Sequence, residues 1–318
     1  MSSALPSASG PILDASPPPL PPDSVYTSCY CEENIYLLAQ TFTRLSGAHS
    51  TDTLGSSWPW QIYVVFISNG GKTVVLWSQK AARDGGWVVW DYHVVLVLLP
   101  RTPHDPGRDS HAAPSLIESQ GPGSRSEWPP EQQAWVYDFD TTLPVPCPWR
   151  ADYIAGTFPY ALDRSLADRI DERFHSLFRV IPAGEFLDHF ASDRSHMIVP
   201  VHAVAPEVQA ETLEDGGGSD ARSGSEGSAE ARADGPRYAQ PPPPYPPLRG
   251  EKARAMGIVH NLMESFVAMD LRPAPLAEES AALREGEAQD PRSSAARYGQ
   301  VMNAEAFVRW LAGSEKEA

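Results

Sequence analysis

The chain has 318 residues, 32 prolines, three cysteines and a formal net charge of −16. That acidity excludes a general affinity for nucleic-acid backbones or anionic membranes. No apolar run is long enough to span a bilayer, the longest (94–99) being strand-sized. An odd, small number of cysteines excludes a disulfide framework and, with no basic-then-apolar leader, fits a reducing cytoplasmic or nuclear setting.

Residues 1–24 are rich in Pro and Ser and read as a disordered tail. Residues 25–318 read as a single catalytic-sized domain with low-complexity inserts near 101–130, 203–239 and 275–297. Much of the acid sits in the second insert, whereas 26–100 is close to balanced. After Cys31, Ile35, Leu38, Phe42 and Leu45 recur at three- and four-residue steps, predicting an amphipathic helix with Gly47 as its stop and a loop over 49–57. "WQIYVVFISNGGKTVVLW" predicts two strands joined by an Asn-Gly-Gly turn as an antiparallel hairpin. Residues 85–100 predict one long strand, apolar on both faces from Tyr92 on except at His93. Residues 134–140, "AWVYDFD", predict a fourth strand.

Helices are expected next. Leu166, Ile170, Phe174 and Phe178 step by four, and a short helix spans 183–190. Asn303 is placed to cap a last helix carrying Phe307, Trp310 and Leu311, with Gly313 after it.

Two cysteines in "SCYCEEN" stand just ahead of the first helix. At a helix start the unpaired N–H groups and the dipole favour an anion, so Cys31 is expected to have a lowered thiol pKa and donors for an oxyanion. A nucleophilic thiol needs a base and the base an orienting group. His93 and Asp138 would meet if their strands pair. The residues alone leave the bland reading open: free Cys packs as a small hydrophobe, a strand His is often a satisfied core residue, and an Asp often sits at a turn.

The ordered motifs "SCYCEEN", "WDYHVV", "YDFDTTLPVPC", "FRVI", "FASDRSHM" and "PPPPYP" resemble the protein N-terminal glutamine amidohydrolase family, whose members carry a WDYHV signature. The inserts depart from that pattern without interrupting a motif. The resemblance implies an α/β (α+β) papain/transglutaminase-like fold: an antiparallel sheet flanked by helices, with the cysteine at a helix N-terminus. It implies a Cys31–His93–Asp138 triad, with Cys29 a packed neighbour and no metal or other cofactor. The reaction implied is hydrolysis of a protein's N-terminal glutamine to glutamate and ammonia, feeding arginylation in the N-degron route; a monomer is expected, though no residue pattern speaks to the oligomeric state.

Recognition of an N-terminal residue needs a group that reads a free ammonium, and Asp91 and Asp193 are the candidates. Trp90 and Tyr92 are expected in the core, His196 to be structural, and Cys147 to be buried and inert. The run from Pro242 to Tyr245 matches a WW-domain ligand, or else packs as a domain segment. The rival readings are a cysteine peptidase or transglutaminase-like acyl transferase, which share the triad, and a non-enzymatic Pro-rich scaffold.

Overall fold

A computed structural model describes residues 16–50, 58–101, 134–199, 236–269 and 297–313. The predicted inserts therefore fall almost wholly outside the described residues. By its contacts the chain divides into two units, Met1–Asp193 with Pro247–Ala318, and Arg194–Pro246.

The larger unit is a mixed α+β structure. Its first helix, α1, spans Cys31–Ser50. The strands are β1 (Trp60–Ser68), β2 (Val74–Trp77), β3 (Trp87–Trp90), β4 (His93–Pro100), β5 (Trp135–Tyr137), β6 (Cys147–Pro148), β7 (Leu177–Pro182) and β8 (Gln300–Asn303). Six of them form one sheet in the order β6-β5-β4-β1-β7-β8, with every pair antiparallel. β4 is buried at seven consecutive positions, as its two-faced apolarity predicts, because helices and loops cover both faces. Val94, Leu96 and Leu98 pack with Ile35, Leu38 and Phe42 of α1 and with Phe186 and Phe266. Val95, Val97 and Leu99 pack on the other side with Val74, Leu76, Tyr153, Phe158 and Phe307.

Four local expectations change. β1 does not form a hairpin with β2. Both of its edges are taken, by β4 and β7, and β2 pairs instead with β3 in a separate two-stranded sheet. Asn69 steers the chain out of the large sheet, its side chain donating to the Arg173 and His175 carbonyls. The long strand over 85–100 breaks at Asp91 and Tyr92, where β3 leaves one sheet and β4 enters the other. The four-step apolar series is not one helix. Asp163 caps a single turn, Arg164–Ala167, Asp171 caps the 3-10 turn Glu172–Phe174, and Phe178 lies in β7. Finally, α1 runs past Gly47 to Ser50.

The short helix Ala183–His189 and the last helix, Ala304–Leu311, form as expected; Asn303 accepts from the Ala306 amide and Gly313 follows at positive φ. Part of the amino-terminal stretch is also in place: Leu20 packs on the core and the Pro18 carbonyl accepts from Tyr137. No helix among the described residues is long and apolar enough to cross a membrane.

In the smaller unit Ile198 bridges Tyr238. Arg194 donates to the Pro243 carbonyl at 3.2 Å and lies over the Tyr245 ring. Within the Pro-Pro-Pro-Tyr run Pro243 is buried, Tyr245 half-buried, and Pro242 and Pro244 exposed.

Candidate active site

"SCYCEEN" forms a turn that delivers Cys31 as the first helical residue. The Asn34 side chain reaches back seven residues, accepting from the Thr27 amide at 2.8 Å and donating to the Thr27 carbonyl at 2.9 Å. Tyr30 N–H bonds the Thr27 carbonyl, and the Glu33 and Asn34 amides bond the Tyr30 carbonyl. Cys29 takes a left-handed conformation, φ 65°, at the bend. It is exposed, not packed as expected, because the reversal points it outward while α1 carries Cys31 inward.

His93 opens β4 and is 1% exposed. Its Nε2 meets Asp138 Oδ1 at 2.9 Å. Asp138 follows the last residue of β5, and the β4–β5 pairing brings the two together as expected. Asp138 Oδ1 also accepts from the Asp140 amide at 2.9 Å, and Oδ2 from the Tyr153 hydroxyl at 2.9 Å and Gln79 at 3.5 Å. Burial alone would raise the carboxyl pKa; the imidazole and these donors outweigh it, so the net direction is down. Burial likewise works against the imidazolium, but Asp138 outweighs it and lifts His93 above 6.5.

The thiol reaches the same end of β4. The Val94 amide, next in sequence to His93, lies close enough to the sulfur to favour its ionised form. The thiol also donates to Glu32 Oε2 across 3.8 Å, and that oxygen accepts from the Tyr92 hydroxyl at 3.0 Å. The expected lowering of the Cys31 pKa does not hold: burial first, then Glu32, Asp140 and Asp91, push the thiol well up, and the Val94 amide works against them. The structure thus pairs His93 directly with Asp138 and brings Cys31 to the adjoining residue.

Tyr92 is in the core, as expected, but its hydroxyl belongs to this site; Trp90 is only half-buried, its ring 4.9 Å from the His93 ring. Asp91 is exposed at the strand break, its carboxylate on the Tyr92 amide, close enough to act on the thiol. Asp193 pairs with His260 at 3.1 Å. At the rim, Tyr26 donates to Asp140, and burial first, then this bond, push the phenol up to about 12. Cys147 is fully buried beside β5. Sequence reasoning missed Glu32, Gln79 and Tyr153; the acidic residue directly after Cys31 was the one legible signal.

Among the described residues, His93, Asp138 and Asp140 are the group whose potential ligand atoms all lie within 4.8 Å of one another. His93 Nε2 and Asp138 Oδ1 bond each other, Asp138 Oδ2 accepts from Tyr153, and Asp140 Oδ1 accepts from Tyr26. The arrangement suits proton transfer at a sulfur nucleophile.

A family model described as N-terminal glutamine amidase matches residues 26–311. Over 173 residues the chain is 37% identical to the protein N-terminal glutamine amidohydrolase of Bos taurus, covering 54% of this chain and 62% of that one. The protein of the same name from Homo sapiens is 36% identical over the same length and shares. That of Arabidopsis thaliana is 31% identical over 245 residues, 77% of this chain and 75% of that one. The chain thus spans less than two thirds of the bovine and human relatives it matches.

Proposed function

Because the chain belongs to the N-terminal glutamine amidase family, we propose that it hydrolyses the side-chain amide of a protein's N-terminal glutamine, giving glutamate and ammonia. The observation that carries this is the junction of α1 with β4: Cys31 opens the helix, and His93, bonded to Asp138 at 2.9 Å, opens the strand. A cysteine at the start of a helix packed on an antiparallel sheet supports a papain/transglutaminase-like arrangement.

With Nε2 committed to Asp138, Nδ1 of His93 serves the sulfur. The thiol gives its proton to Nδ1 and the thiolate attacks the amide carbon. The Cys31 amide, at the first helical position, stabilises the oxyanion. His93 then protonates the departing nitrogen, which leaves as ammonia, and a glutamyl thioester remains on Cys31. Water, losing a proton to His93, attacks the thioester, the carbon–sulfur bond breaks, and the proton returns to sulfur. Asp138 holds the imidazole tautomer and its charged form throughout. Asp91, exposed at the rim, draws the substrate ammonium toward the site, while Asp193 is the outlying candidate for that role. A glutamate terminus is then open to arginylation.

The test is ammonia release from matched peptides bearing free N-terminal Gln, acetylated Gln, internal Gln or N-terminal Asn. Release from the free Gln peptide alone, abolished by Cys31→Ser, is the expected result. Release from internal Gln as well points to a broader transglutaminase-like enzyme, and release from none refutes the proposal.

A further inference from the structure

Glu32 follows the nucleophile and is wholly buried. Its Oε2 lies 3.8 Å from the Cys31 sulfur and 3.0 Å from the Tyr92 hydroxyl. For a thiol that must ionise, a carboxylate there is a poor neighbour, and it adds to what burial already does to hold the sulfur protonated. An acidic residue in the first turn suits the helix dipole, but an exposed one would do so without the cost of burying a charge. A cation brought beside the sulfur would offset that carboxylate, and an N-terminal glutamine always brings one. Its α-nitrogen lies about 4–5 Å from its own side-chain amide carbon. When that carbon meets the sulfur, a substrate that folds back over the start of α1 can bring its ammonium to about 4–6 Å from Glu32.

We propose that Glu32 is the counter-charge for the substrate's α-ammonium, and that this pairing releases the Cys31 thiol for ionisation. The proposal rests on the glutamine-amidase reading above. The other anions acting on the thiol are Asp140, which accepts from Tyr26, and Asp91, which is exposed. Those two draw a cation to the mouth through water, which screens them. Glu32 is closed to solvent, so the ammonium acts on it across the sulfur, where opposite charges about 4–6 Å apart change ionisation strongly. His93 is set separately, by Asp138. One residue then couples recognition to chemistry: a substrate without a free ammonium leaves the thiol in its resting, protonated form.

Two readouts with opposite signs test this. The first is ammonia release from a free Gln peptide and from its des-amino counterpart, the 4-carbamoylbutanoyl peptide. The second is iodoacetamide alkylation of Cys31 at neutral pH, followed by mass spectrometry of the Cys31 peptide. In wild type the amine should raise kcat/KM by about 100-fold. In Glu32→Gln most of that preference should vanish while Cys31 alkylation becomes about tenfold faster. A variant that keeps the amine preference, or whose Cys31 reacts no faster, overturns the proposal. A wild type inactive on both peptides refutes the underlying reading instead. Should Glu32→Gln not fold, the wild type decides. Alaninamide, which carries the ammonium, should speed Cys31 alkylation several-fold, and propanamide, which does not, should leave it unchanged. Equal effects of the two overturn the proposal.

Discussion

Asp138 accepts from four donors: the His93 ring, the Asp140 amide, the Tyr153 hydroxyl and, more distantly, Gln79. A carboxylate so held stays ionised and keeps His93 oriented, and it lifts the imidazole pKa against the effect of burial. The base must be neutral to take the thiol proton. The acid limb of kcat/KM should therefore fall above pH 6.5, activity rising as pH passes through the raised His93 value. Tyr153→Phe removes one donor, leaving more of the Asp138 charge to hold the imidazolium. The limb should move to higher pH, with kcat/KM at neutral pH down about tenfold; a pH–rate profile of the two proteins reads both effects. Cys31, His93 and Asp138 stood out as candidates at a helix start and a polar break in an apolar strand, and it was the family motifs, not those local signals, that singled them out as a triad. Tyr153 and Gln79 were not legible, because they reach Asp138 from elements whose placement no periodicity encodes.

The start of α1 depends on a loop the helix itself restrains. Both Asn34 bonds run to the Thr27 backbone, fixing the turn through Cys29 that sets where the sulfur enters. Asn34→Ala should lower stability by about 1–2 kcal/mol in urea denaturation, with a larger proportional loss of kcat than of substrate affinity. The same scale explains the misread hairpin. The Asn-Gly-Gly turn was visible in sequence, but the pairing was not, since β1 is central and both its edges are occupied. Nor could the break at Asp91 and Tyr92 be read from a run apolar on both sides of it. Two sheets share that run, and the transfer between them puts His93 at the mouth of the site rather than mid-strand.

Across the larger unit, a buried cation ties remote segments together. Arg179 in β7 is 2% exposed and donates to the Phe266, Ala268 and Tyr298 carbonyls. It thereby anchors the π-helix Leu262–Val267, whose Phe266 packs against Phe66 and Phe186 behind α1. Arg179→Met leaves three carbonyls without that donor and should cost about 3 kcal/mol or more in equilibrium unfolding. The mixed α+β class came from the family resemblance beside the strand and helix patterns; this clamp was not legible, since Phe178 read as part of a helical series and nothing marked Arg179 as buried.

The antiparallel ladder between β4 and β5 places Leu98 opposite Trp135 and Leu96 opposite Tyr137. The chain therefore leaves β4 at Pro100 and enters β5 at the end remote from His93 and Asp138. Cys31 and His93 lie on one side of that connection in sequence and Asp138 on the other, with His93 and Asp138 joined in space by strand pairing. On the proposed mechanism, the site should therefore assemble from two pieces. Two polypeptides separated between Pro114 and Ser115 and co-expressed should recover at least about a tenth of the intact activity in the ammonia assay, with neither active alone. Such complementation would turn the enzyme into a reporter of proximity, its output conditional on the two halves meeting.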